Sequence, residues 1–177
     1  MKLSYRNGGL VLISIVLLGF ILRLYGLGSG SIRGDEGYSI YFASKDMSSL
    51  TSLLVYTVHP PLYYTVLRFW MELGDSEFIL RFLSLIFGVL SIFLTFHLGK
   101  YLFNKNVGLL SALIMAISQF HILHTQMCRN HDLFLFLVLI SFYFFVRFLT
   151  TIDAIFKKFA VAILLSIQKK FNWFNNF

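Results

Sequence analysis

Four long apolar runs organise the chain, and its polar residues collect between them. Leu10–Leu27, Phe78–Gly99, Val107–His124 and Asp132–Leu149 are each nearly unbroken hydrocarbon. A helix rises ~1.5 Å per residue, so each run is about long enough to cross a ~30 Å bilayer core. The pattern therefore predicts four membrane-spanning helices. Arg23 falls near the far end of the first run. A long basic side chain there is expected to snorkel to the headgroups. Gly26, Gly28 and Gly30 then break that helix.

The stretch from Ser31 to Glu77 is different. It holds six of the eight acidic residues, Asp35, Glu36, Asp46, Glu72, Asp75 and Glu77. Asp35–Val58 spaces its apolar and aromatic residues as one interfacial helix would. Pro60–Leu73 is apolar but too short to span, so it predicts a re-entrant or interfacial helix, with the prolines at its stiff entry. Past Leu149, Phe159–Ile167 is apolar but also too short to span, and no organised element is predicted after it. The expected architecture is all-α, a multi-pass transmembrane helical bundle. Residues 1–150 form the membrane region, with an outer loop over 28–77 that carries interfacial helices. Residues 151–177 are an incomplete fifth apolar segment and an irregular tail.

Composition supports this and charge orients it. The 177 residues are 58% hydrophobic and 13% charged, about half the charge of a soluble domain. The net charge of +7 does not form a basic stripe, so nucleic acid is not an expected partner; the basic residues punctuate the apolar runs as topology signals and lipid contacts. With Lys2 and Arg6 in the cytoplasm, Lys100 and Lys105 also fall inside, as do Arg147, Lys157 and Lys158. That pattern obeys the positive-inside rule only if Pro60–Leu73 does not span. The first run lacks a small-residue cleavage site, so it reads as an uncleaved helix. The Asp35–Glu36 loop and the Gln126–His131 break are then both extracytoplasmic. The single cysteine, Cys128, excludes an internal disulfide.

Three constellations are candidates for chemistry. Asp35 and Glu36 are either solvated acids at a helix N-terminus or contain a general base. Successive residues point in different directions on a helix, so one base is expected, Asp35, with Glu36 beside the substrate. His59-Pro60-Pro61-Leu62-Tyr63-Tyr64 is either a stiff corner or, through His59 and Tyr63, the lining of a polar ligand site. Arg129 and Asp132 share a face if helical. They form a local pair, or else Arg129 grips a lipid-linked phosphate with its planar fork and Asp132 helps hold donor or acceptor. Arg81 is a further phosphate candidate. His59, His121, His124 and His131 match no ligand spacing, so no metal and no cofactor is expected. Ionisable groups cluster at the ends of spans and not at mid-membrane, which argues against a transporter.

These motifs in this order resemble a known family. Leu22-Arg23-Leu24-Tyr25-Gly26-Leu27, Asp35-Glu36-Gly37-Tyr38-Ser39, His59-Pro60-Pro61-Leu62-Tyr63-Tyr64, Ser76-Glu77-Phe78 with Arg81-Phe82-Leu83-Ser84, and Gln126 with Arg129 are similar to the N-terminal part of GT-C glycosyltransferases. The resemblance is to the dolichyl-phosphate-mannose protein mannosyltransferase-like and Rgt-like group, with the aminoarabinose transferases of lipid A more distant. It covers about Leu10–Leu149.

The resemblance implies a membrane enzyme that takes a hexose such as mannose from a polyprenyl- or dolichyl-phosphate sugar. It passes the sugar, with inversion, to a protein, glycan or lipid acceptor outside the cytoplasm. By the same resemblance Asp35 is the base, Asp132 a second acid and Arg129 the donor-phosphate contact. Close relatives often read Gln-Glu-Ala-Arg where this chain has Gln126-Met127-Cys128-Arg129, so the Glu is absent. Family members also have several more spans, which leads to the expectation of a truncated, N-terminal part. A catalytically inactive membrane fragment or scaffold subunit is the competing expectation.

Overall fold

The computed structural model describes residues 5–55 and 60–174. Every regular element among them is helical: α1 (Tyr5–Leu24), α2 (Gly34–Ala43), α3 (Met47–Val55), α4 (Pro61–Trp70) with a 3₁₀ turn (Met71–Leu73), α5 (Glu77–Leu102), α6 (Lys105–Ile117), α7 (Gln119–Thr125) and α8 (His131–Phe174). The chain divides into two compact units, Met1–Ile140 and Ser141–Phe177, and each is described by itself.

In the first unit α5 is the hub, packing against α1, α4, α6 and α7. Ser76 caps its start by accepting from the Ile79 amide at 3.3 Å, and Asn104 caps α6 by accepting from the Asn106 and Val107 amides at 3.0 Å. α5 and α6 approach closely because glycines face each other. A Cβ on Gly108 would lie 2.6 Å from the Phe96 carbonyl oxygen. Leu12, Ile15, Ile92, Phe96, Ala112 and Ala116 fill the space between α1, α5 and α6. A second cluster joins α2, α3 and α4 to α5, built on Leu50, Tyr63, Tyr64, Leu67, Leu80 and Leu83.

Two helices, Glu77–Leu102 and His131–Ile152, are long and apolar enough to cross a membrane, or three if α6 and α7 count as one broken span. Four spans were expected. Gly8–Leu24 is a shorter apolar helix, ending where Gly26 takes a φ of +74°.

Three expectations change in detail. The predicted run Val107–His124 is not straight: Ser118 leaves helical geometry (φ −61°, ψ 113°) and the chain bends by 61°. Arg23 does not reach the headgroups. It is 0% exposed and caps that bend, donating to the carbonyls of Met115 at 3.1 Å and Ala116 at 2.9 Å. A helix that stops leaves carbonyls without partners, and a cation satisfies both their hydrogen bonds and their dipoles. The predicted helix Asp35–Val58 is two helices, because Asp46 caps α3 through the Ser48 hydroxyl and the Ser49 amide; residues 56–59 lie outside the described residues. Pro60–Leu73 forms α4 and its turn, entered through extended Pro60.

In the second unit the backbone is helical to Phe174, where no organised element was expected. No glycine or proline occurs between Ser141 and Phe174, so neither of these helix breakers interrupts propagation there. Thr150 and Thr151 return their hydroxyls to the Arg147 carbonyl at 2.9 and 2.8 Å.

Gly108→Ala is expected to push α5 and α6 apart and destabilise the first unit by about 1–3 kcal/mol. Gly9→Ala, with open space around its Cβ, should be neutral or stabilise by up to about 1 kcal/mol. Thermal unfolding of the detergent-solubilised variants measures both.

Candidate active site

Asp35 and Glu36, from the polar Ser31–Glu77 stretch, meet the Gln126–Asn130 break in the first unit. Glu36, on α2, is 1% exposed. Its carboxylate accepts from Arg81 Nε and Nη2 at 2.9 Å each, from the Arg33 amide at 3.0 Å and from the Cys128 amide at 2.8 Å. Burial opposes ionisation, but the Arg81 guanidinium and the two amides outweigh it. Together they hold Glu36 below its ordinary value. Arg81 donates further to the carbonyls of Leu27 at 3.1 Å, Gly30 at 2.8 Å and Ser31 at 3.2 Å. A guanidinium has five N–H groups, and all five are engaged. In this arrangement the donors of Arg81 are committed to Glu36 and to the backbone, and both side chains border the cavity beneath the loop.

Asp35 differs from its neighbour. One residue along a helix is a rotation of about 100°, so its side chain is exposed while Glu36 is buried. Arg129 Nη1 donates to the Asp35 carbonyl at 2.8 Å. The Arg129 guanidinium thus meets the backbone of the residue expected to be the base, 94 residues away in sequence. On α2, an open groove of about 440 Å³ runs along Gly34, Gly37, Tyr38 and Tyr41. Beneath the loop, a cavity of about 170 Å³ is walled by Ser29, Ser31, Arg33 and Gln126 among others. Gln126 closes it by donating to the carbonyls of Arg23 at 3.0 Å and Tyr25 at 2.8 Å.

The remaining candidates go elsewhere. Tyr63 is buried, its hydroxyl 3.0 Å from Ser84 Oγ and 3.5 Å from Cys128 Sγ. Burial pushes its phenol well above the ordinary value and the Cys128 thiol up to about 11, so that thiol is not a ready nucleophile. Asp132 opens α8 and is 1% exposed. It does not join Arg129, which lies before the first turn of α8 and reaches out to Asp35. Asp132 turns inward, with Oδ1 3.8 Å from His121 Nε2. His59 lies outside the described residues. Among the described residues, no three His, Cys, Asp or Glu side chains gather as a metal set.

Sequence reasoning missed Arg23, Gln126 and the Cys128 amide as site-building groups. Arg23 and Gln126 left a trace, since both stand in motifs that carry the family resemblance; the Cys128 amide left none.

A family model described as dolichyl-phosphate-mannose-protein mannosyltransferase matches residues 58–167, more than half of the chain. The match takes in Tyr63, Arg81, Arg129 and Asp132 and begins after Asp35 and Glu36. No curated protein and no solved structure matches the chain.

Arg81→Ala would leave a buried carboxylate unpaired and is expected to destabilise the fold by about 3–5 kcal/mol. Glu36 should also make the fold acid-sensitive. A lowered folded-state value contributes stability that is present above the ordinary value of 4.5 and is lost as pH falls through the lowered one. Thermal midpoints measured downward from pH 6 should fall below about pH 4.5 in the wild type, and much less in Glu36→Gln.

Proposed function

Because the chain belongs to the dolichyl-phosphate-mannose-protein mannosyltransferase family, we propose that it acts in the membrane as a mannosyltransferase. In this reading it moves mannose from a polyprenyl-phosphate donor to a hydroxyl of a protein or glycan acceptor on the extracytoplasmic side. The observation that carries the reading is the pairing of exposed Asp35 with Arg129, held at 2.8 Å through the Asp35 carbonyl.

A sugar phosphate is already activated. The enzyme must orient the acceptor hydroxyl, remove its proton and stabilise the departing phosphate. In the proposed step the Asp35 carboxylate takes the acceptor proton as the acceptor oxygen bonds to the anomeric carbon. The bond from that carbon to the phosphate oxygen breaks on the opposite face, which inverts the centre. Polyprenyl phosphate leaves with the electron pair, and Arg129 balances its charge. Tyr38 and Tyr41 offer ring faces to a sugar or to the start of the lipid chain. Glu36 and Arg81 position the loop that carries Asp35. His59 remains a proposed neighbour of the substrate, while buried Tyr63 acts through Ser84, whose hydroxyl donates to the Arg129 carbonyl at 3.1 Å. Asp132 is the second acid, set below the break that carries Arg129.

An inactive membrane subunit is the second reading, favoured by Met127 at the position where close relatives carry Glu. One experiment separates the two. The protein is reconstituted in liposomes with polyprenyl-phosphate mannose and an acceptor peptide, and transfer is measured. Asp35→Asn should lower kcat by about 10²–10⁴-fold, and Arg129→Ala should lower kcat with the thermal midpoint retained. Transfer that both substitutions leave unchanged would refute the assignment.

A further inference from the structure

A second buried polar cluster, apart from the Glu36–Arg81 pair, lies where α1, the α6–α7 bend and the first turn of α8 meet. Arg23, His121 and Asp132 stand in a row there, 0%, 8% and 1% exposed. Arg23 Nη2 hydrogen-bonds His121 Nδ1. A guanidinium donates and cannot accept, so Nδ1 must be the acceptor. A neutral imidazole bound this way carries its proton on Nε2. Nε2 is the nitrogen that faces Asp132 Oδ1, at 3.8 Å.

That distance is longer than a hydrogen bond. Neither His121 Nε2 nor Asp132 Oδ2 has a hydrogen-bond partner among the described residues. A donor and an acceptor buried side by side without partners are costly apart and favourable together, and a small rotation of the carboxylate joins them. Arg23 Nε is likewise without a partner among the described residues, while the neighbouring hydroxyls are committed. Thr125 commits its hydroxyl to the carbonyls of His121 at 3.0 Å and Ile122 at 2.7 Å. Ser91 commits its own to the Phe87 carbonyl at 2.9 Å. Gly88 leaves the carboxylate its room, since a Cβ there would lie 2.1 Å from Thr125 Cγ2 and 3.5 Å from Asp132 Oδ1.

We propose that His121 is the positioning residue of Asp132: Arg23 fixes the imidazole as its Nε2–H tautomer, and that N–H orients the Asp132 carboxylate for sugar transfer. The proposal rests on the mannosyltransferase reading, in which Asp132 is the second acid. His121 touches no reacting atom and acts through Asp132.

Two measurements test it. The first uses the full chain, labelled with ¹⁵N-histidine, in lipid nanodiscs. The ring shifts of His121, assigned by their loss in His121→Gln, should report a proton on Nε2. A proton on Nδ1, or on both nitrogens, overturns the proposal whether or not the chain is active. The second is mannose transfer by His121→Gln, His121→Asn, Asp132→Asn and the double variant His121→Asn/Asp132→Asn. Gln keeps an N–H near the Nε2 position and Asn does not. His121→Asn should lower kcat about 10-fold, His121→Gln should restore most of it, and their thermal midpoints should agree. In the Asp132→Asn background His121→Asn should cost nothing more. Additive losses, or equal kcat for Gln and Asn, sink the proposal. A wild-type chain that transfers no mannose instead sinks the function proposed above and the catalytic part of this proposal, while the ring shifts still decide the positioning.

Discussion

A carboxylate and a guanidinium taken out of water together must satisfy each other and every remaining donor and lone pair, or the burial is not tolerated. The Glu36–Arg81 pair meets that condition in full. Its partners come from the loop after α1 through Leu27, Gly30 and Ser31. They come also from the start of α2 through Arg33 and from the break before α8 through Cys128. Three irregular segments with no hydrophobic core of their own are thus fixed to the rigid start of α5. Asp35 and Arg129 lie on two of those segments. Their proximity depends on a pair that is one residue and one short break away, and the exposed chemistry is placed by buried chemistry.

Arg23 does the same work one layer deeper. The bend at Ser118 frees carbonyls in a region with few other donors, and the guanidinium takes two of them while also holding the α1 carbonyl of Gly19 at 2.8 Å. Small residues make this geometry available. Gly19, Gly88 and Gly108 each stand where a Cβ would collide with a neighbour. In a membrane setting, where apolar surface gives little drive for helix association, close backbone approach and buried polar bonds take over that role. Specific contacts of this kind hold the first unit together, with hydrophobic contrast contributing little.

The helical, membrane-compatible character of the chain was legible in its sequence, because it rests on local quantities. Run length, hydropathy and the lack of charges decide whether a segment can cross hydrocarbon, and they can be read one segment at a time. The helix entered at Pro61, the end of α1 before Gly26 and the start of α6 after Asn104 follow from residue-specific backbone preferences and capping, which are local as well. The family could be read for a similar reason: motif order along the chain is a one-dimensional property, and the match over residues 58–167 rests on it.

The roles of individual ionisable residues were not local, and only the tertiary structure decided them. Asp35 and Glu36 are chemically near-identical neighbours, and which one is buried depends on where Arg81 and the Cys128 amide lie. Arg23 and Arg81 read as cations available to headgroups or phosphates. Each instead takes carbonyls left spare where a helix or loop ends, Arg81 together with the Glu36 carboxylate and Arg23 together with His121. Arg129 and Asp132 sit close enough in sequence to suggest one face, yet the chain becomes helical only at His131, so one turns out to Asp35 and the other in to His121. A charged group goes where its partners are, and Glu36, Arg23 and Arg129 each have a partner tens of residues away.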